Sequence, residues 1–134
     1  MARNEHTLRA EFCKRIRESG GHCQPIEDAL TAGVPDVSAC LNGFDSWVEI
    51  KVAHDLTLEQ RKWLVARARA GGRVFVLKQV DKRIVLIHGI NAALYLDRSW
   101  QDVEILAEGW DAVLEALSKP VPPYEISNEQ GETC

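Results

Sequence analysis

The chain has 134 residues, a 46% hydrophobic share, a 27% charged share and a formal net charge of −4. That length holds one domain, and that balance excludes whole-chain disorder, a collagen repeat and a long coiled coil. The apolar runs fall far short of the ~20 residues needed to cross a bilayer, and the N-terminal MARNEHTLRAEF carries charges where a signal peptide needs an apolar stretch, so an intracellular, cytoplasmic protein without membrane association is expected. Residues 4–19 are predicted to form an amphipathic helix, with Asn4 as its N-cap, Leu8, Phe12 and Ile16 as its apolar stripe, and Gly20-Gly21 as its stop.

A short strand is predicted over 22–26, followed by a loop over 27–35 containing Thr31, Gly33 and Pro35. The alternation of Val37, Ala39 and Leu41 with Ser38 and Cys40 predicts a strand, and Trp47 to Val52 a second one. The two form a hairpin, 36–41 with 47–52, whose turn starts at Asn42-Gly43 and is lengthened by Phe44, Asp45 and Ser46. Thr57 caps a helix that runs to Gly71-Gly72. Strands are expected over 73–79 and 83–88, and short helices over 90–96 and 109–118. The tail after Lys119 is proline-rich and polar, and is expected to be extended or disordered. The fold class is therefore α/β, in the order α-β-β-β-α-β-β, with a helical acidic C-terminal appendix. The expected organisation is a core over 1–95, a packed helical extension over 96–119 and a flexible acidic tail over 120–134.

Charge is unevenly spread. Residues 1–95 carry 14 Lys and Arg against 11 Asp and Glu, whereas residues 96–134 carry 2 against 9. A mildly basic body is compatible with a nucleic-acid partner, and an acidic tail would compete with it. The four cysteines, Cys13, Cys23, Cys40 and Cys134, form no C-x-x-C pair and are expected to be reduced and inert. No two of the four histidines stand at a metal-binding spacing, and the four tryptophans are expected to anchor the core.

The hairpin carries the chemistry. Glu49 and Lys51 are two apart on a strand and share a face, while Val48, Ile50 and Val52 take the other. Asp36 opens the paired strand, where a twisted hairpin brings it beside Glu49. Two carboxylates with a backbone carbonyl, that of Ile50, form a hard-oxygen site suited to Mg²⁺ or Mn²⁺, completed by a phosphate and water. A lysine beside such a site would hold or deprotonate an attacking water, or stabilise charge on the phosphate. A Glu-x-Lys triplet alone is a weak signal, since a chain of this length contains one by chance about half the time. A solvated strand face is the commoner account of the bare triplet unless its surroundings agree.

The surroundings do agree. GVPDVSACLNGFDSWVEIKV followed by LTLEQRKWL resembles the PD-(D/E)XK nuclease superfamily, and is most similar to its small VRR-NUC and Holliday-junction-resolvase-like members, viral ones included. The resemblance spans about residues 5–88. It implies a restriction-endonuclease-like mixed sheet flanked by helices, and Mg²⁺- or Mn²⁺-dependent cleavage of DNA. It places the metal aspartate on Asp36, the second acidic ligand on Glu49, the catalytic lysine on Lys51 and a helix glutamine on Gln60. Members often add a first-helix glutamate, for which Glu5 is preferred over Glu11, and Glu27 is a third acidic residue that would edge the site. Gln60 also has its own argument, since three residues after Thr57 it lies in the first helical turn and reaches a ligand near the helix start. Arg61, Lys62, Arg67, Arg69 and Arg73 make the following segment basic, and Arg61, Lys62, Arg67 and Arg69 are the candidate phosphate contacts. Resolvase-like members act as homodimers, so a second copy is an expected partner besides DNA. The competing reading is a catalytically silent module, binding nucleic acid or a protein partner on the same fold.

Overall fold

A computed structural model describes residues 4–27, 30–53, 55–95 and 103–121. Its elements are α1 (Glu5–Glu18), β1 (His22–Pro25), β2 (Val37–Leu41), β3 (Phe44–Lys51), α2 (Leu58–Arg69), β4 (Val74–Val80), β5 (Arg83–His88), α3 (Gly89–Tyr95), β6 (Ala107–Glu108) and α4 (Trp110–Leu117). The six strands form one mixed sheet in the order β1-β2-β3-β4-β5-β6. Only β3 and β4 run parallel, joined through α2; the other neighbours are antiparallel.

Side-chain alternation across the sheet creates two cores. On one face, Val37, Ala39, Val48, Ile50, Phe75, Leu77 and Leu86 pack under Leu8, Phe12 and Ile16 of α1 and Val113 and Leu117 of α4. On the other, Val74, Val76, Val85 and Ile87 pack under Leu64 of α2 and Ala92 and Ala93 of α3. Helices on both faces explain why the middle of the sheet is apolar without alternation, as in the buried run Val74 to Leu77. Leu58, the first residue of α2, is exposed and joins neither core.

Local chemistry sets the element ends. The Asn4 side chain accepts from the Thr7 amide at 2.8 Å and caps α1. Gly21 is required because a Cβ there would lie 2.6 Å from the Cys40 carbonyl oxygen. The hairpin turn is shorter than the sequence reading. Asn42 and Gly43 both take positive φ, 54° and 84°, and make a two-residue connection, so Phe44, Asp45 and Ser46 already pair with Leu41, Cys40 and Ala39. Extending the strand leaves its far end in place, and Val48 stands opposite Val37.

The C-terminal segment differs from a simple appendix. Ala107 and Glu108 add a sixth strand beside Leu86 and Val85, with both Glu108 carboxylate oxygens accepting at 2.7 Å from Arg83, one from Nε and one from Nη2. From there α4 returns over the α1 face, with the Trp110 ring 6.5 Å from that of Phe12. The tail expected to be flexible lies, from residue 122 on, outside the described residues. Cys13 and Cys23 are buried and free, their sulfurs 2.7 Å apart between α1 and β1. Among the described residues no helix is long and apolar enough to cross a membrane.

Candidate functional site

Glu49 and Lys51 occupy the last turn of the pleat at the C-terminal end of β3, where that strand runs beside parallel β4. Both are buried, at 2% and 5% exposure. Ligands of open α/β sheets collect at such strand ends, because the following loops and helix N-termini converge there.

Three segments converge on this strand end. The loop before β2 brings Asp36, whose Oδ2 accepts from the Ile50 amide at 2.9 Å. Gly33 (φ +87°) holds that loop against α2, since a Cβ there would lie 2.3 Å from the Glu59 carbonyl oxygen. The N-terminus of α2 brings Gln60. Its side-chain oxygen accepts from the Thr57 amide at 2.8 Å, while the Thr57 hydroxyl accepts from the Gln60 amide at 3.1 Å. That reciprocal capping box leaves the Gln60 Nε2 free to donate to Glu49 Oε2 at 2.9 Å. Finally α1 brings Glu5, whose Oε2 accepts from the Val52 amide at 3.3 Å.

The electrostatics of this cluster are unusual. Burial first and the nearby Asp36 carboxylate second push the Glu49 carboxyl up to about 9, against the opposing pull of Lys51. The Lys51 ammonium stands 3.7 Å from Glu49 Oε2. The second oxygen, Oε1, is buried and finds no partner when the carboxyl is ionised, whereas the protonated carboxyl can bond Asp36. A carboxylate pair that crowds one site and leaves a buried oxygen unmatched fits a hard divalent cation, the ligand that would satisfy that oxygen and lower the carboxyl again. Among the described residues no three His, Cys, Asp or Glu side chains close into a ready cage, so the remaining oxygens would come from substrate and water.

Thus Asp36, Glu49, Lys51 and Gln60 are brought together, with Glu5 at the edge. Ile50, named for its carbonyl, lies between Glu49 and Lys51, with its amide on Asp36. Glu11 is instead paired with Arg15 on α1 at 2.8 Å. Glu27 is exposed after β1 and is not among the charges acting on Glu49. The basic residues of α2 divide. Arg61 donates to the Ala93 carbonyl at 2.8 Å, and the Arg67 guanidinium lies 4.6 Å above Trp63 and 5.3 Å from Trp47. Lys62 and Arg69 are exposed. Arg73 lies beyond the helix and ties β4 to the end of α4 through the carbonyls of Leu117 and Lys119. His54 lies outside the described residues.

One buried cation escaped the sequence reading. Lys78 on β4 stands directly beside Lys51 in the parallel register and is 9% exposed. The signal was a lone charge inside the apolar run VFVLKQV.

Fold and site together define a mixed α/β protein with an acidic–lysine cluster at the C-terminal end of its parallel strand pair. No protein-family model and no curated protein matches the sequence. Among solved structures the chain is similar to Hjc, a Holliday junction resolvase from the archaeal hyperthermophile Archaeoglobus fulgidus, at 16% identity and a TM-score of 0.49, over 60% of this chain and 73% of that one.

Proposed function

We propose that the protein is a divalent-metal-dependent endonuclease that hydrolyses DNA phosphodiester bonds. The observation that carries this reading is the Asp36–Glu49–Lys51–Gln60 cluster, with its unmatched buried Glu49 oxygen. Asp36, Glu49 and the Ile50 carbonyl would hold Mg²⁺ or Mn²⁺, with Glu5 at the margin. When bound, such an ion supplies charge neutralisation at the phosphate and a more acidic water.

The side chains divide the remaining work. The Ile50 amide fixes Asp36, and Gln60 fixes Glu49, so both carboxylates are set before substrate arrives. Lys51, anchored by Glu49, presents its ammonium to the attacking water and to the negative charge that builds on the phosphoryl oxygens. Exposed Lys62 and Arg69 contact the backbone away from the cut. Symmetric cutting of a four-way junction needs two such sites, and so two copies of the chain.

The test is cleavage of labelled four-way junction, flap, duplex and single-stranded DNA with Mg²⁺ or Mn²⁺, with chelator and Glu49→Gln as controls. Metal-dependent products lost in both controls are expected, and preference among the substrates reports structure specificity. Binding without cleavage of any substrate would overturn the proposal in favour of a silent binding module.

A further inference from the structure

Among the described residues three charged side chains are buried: Glu49, Lys51 and Lys78. They are neighbours on one face of two adjacent strands. Glu49 and Lys51 are two apart on β3, and Lys78 stands beside Lys51 on β4. Neighbouring strands lie ~4.8 Å apart, so the register places two like-charged side chains side by side, which a sheet disfavours.

The surroundings of Lys78 would suit an aliphatic residue. Val74 and Val76 precede it on the same face of its strand, and Val85 stands opposite on β5. An ammonium there is desolvated, which lowers its proton affinity; Lys51 lowers it further, while Asp55 and Glu5 oppose the shift. Those two carboxylates act at a distance, as Lys78 makes no ion pair or hydrogen bond among the described residues. The Lys78 side chain is buried along its length, while its ammonium has no protein partner among the described residues and is not one of the buried orphan atoms, so it is suited to an anion from outside. Lys51 is already tethered to Glu49, so the two lysines are not equivalent: one is held by the acidic cluster and the other is available.

We infer that Lys78 is a substrate-contacting residue, its ammonium donating to a non-bridging oxygen of the DNA backbone held at the Glu49–Lys51 site. The inference rests on the nuclease reading for the identity of the anion. It assigns Lys78 to binding, and Lys51 to the chemical step. A lysine point charge gives such a contact strength without base preference, so it acts alike on every DNA sequence.

The experiment compares wild type with Lys78→Gln, Lys78→Arg and Lys78→Met. Affinity for fluorescein-labelled duplex and junction is measured across a salt series in Ca²⁺, alongside melting temperature, and KM and kcat are measured in Mg²⁺. Lys78→Gln and Lys78→Met should each reduce the salt slope of binding by about one phosphate contact and raise KM more than they lower kcat. Their melting temperatures should hold or rise, and Lys78→Arg should restore the slope. Lys78→Met fits the apolar strand, so the measurement survives if the Gln variant fails to fold. An unchanged slope in a folded variant, with or without a lower melting temperature, would overturn the inference and make Lys78 a structural counter-charge to Asp55 and Glu5. Wild type that cleaves while Lys78 variants keep slope and KM would sink the inference and spare the nuclease reading. A Lys78-dependent slope in a wild type that cleaves nothing would do the reverse.

Discussion

Replacing Glu49 by Gln tests the site's electrostatics with no substrate present. In the metal-free folded protein the Glu49 carboxyl keeps its proton up to about 9, against 4.5 for the unperturbed group. The raised value means that the folded state binds the proton more tightly than the unfolded chain. The associated stability is fully present below about pH 4.5 and is lost as pH climbs through about 9. Each unit of that window costs about 1.4 kcal/mol, so wild type should lose about 3 kcal/mol between pH 5 and pH 7 from this group alone. Gln cannot ionise and still accepts from Gln60, so Glu49→Gln lacks the slope. For a chain of this size 3 kcal/mol corresponds to roughly 10 °C in melting temperature. The assay is thermal unfolding of both proteins in chelator, from about pH 5 to about pH 9. The variant should gain on wild type as pH rises. Added Mg²⁺ should stabilise wild type more at higher pH, because ion and proton compete for the same oxygens. A melting difference that is flat with pH, or a wild type that gains on the variant as pH rises, would refute the reasoning.

Asp36→Asn should abolish DNA cleavage with unchanged circular dichroism, and chelator should reproduce the loss. Lys51→Ala should slow turnover by about 10²–10⁴-fold while metal-dependent DNA binding survives, as a filter-binding assay alongside single-turnover kinetics would show. Gln60→Ala removes a capping bond and the donor to Glu49 together, so unfolding experiments should register a loss of about 1–2 kcal/mol and cleavage should fall in parallel. Gly33→Ala meets both a positive φ and the Glu59 backbone, and should lower the melting temperature and the cleavage rate by displacing the Asp36 loop.

The mixed α/β class and the β2–β3 pairing were legible because period-two alternation and cap residues are local signals, and a hairpin in that register brings Asp36 towards Glu49. The turn is shorter than the sequence suggests because Asn42-Gly43, both at positive φ, close the hairpin in two residues and let Phe44 to Ser46 pair. Two-residue β6 is too short to show a period, and exists because β5 offers it an edge. The sequence favours Glu5 over Glu11 only slightly, since both border the apolar stripe of the helix. Their difference arises from where α1 crosses the end of β3, a tertiary fact. Likewise Arg61 and Arg67 look like a basic face in sequence, yet one reaches back to the Ala93 carbonyl and the other lies over two indole rings. Lys78 is hard to single out in the sequence because an apolar run dominates its strand.

The link from Thr57 through Gln60 to Glu49 makes helix initiation and carboxylate placement one event. The amide proton of Thr57 is bonded to the same side chain that steadies Glu49, although Thr57 itself is exposed. Its exchange with solvent deuterium therefore reports how often the carboxylate is released, from outside the pocket and in a protein that need not be turning over.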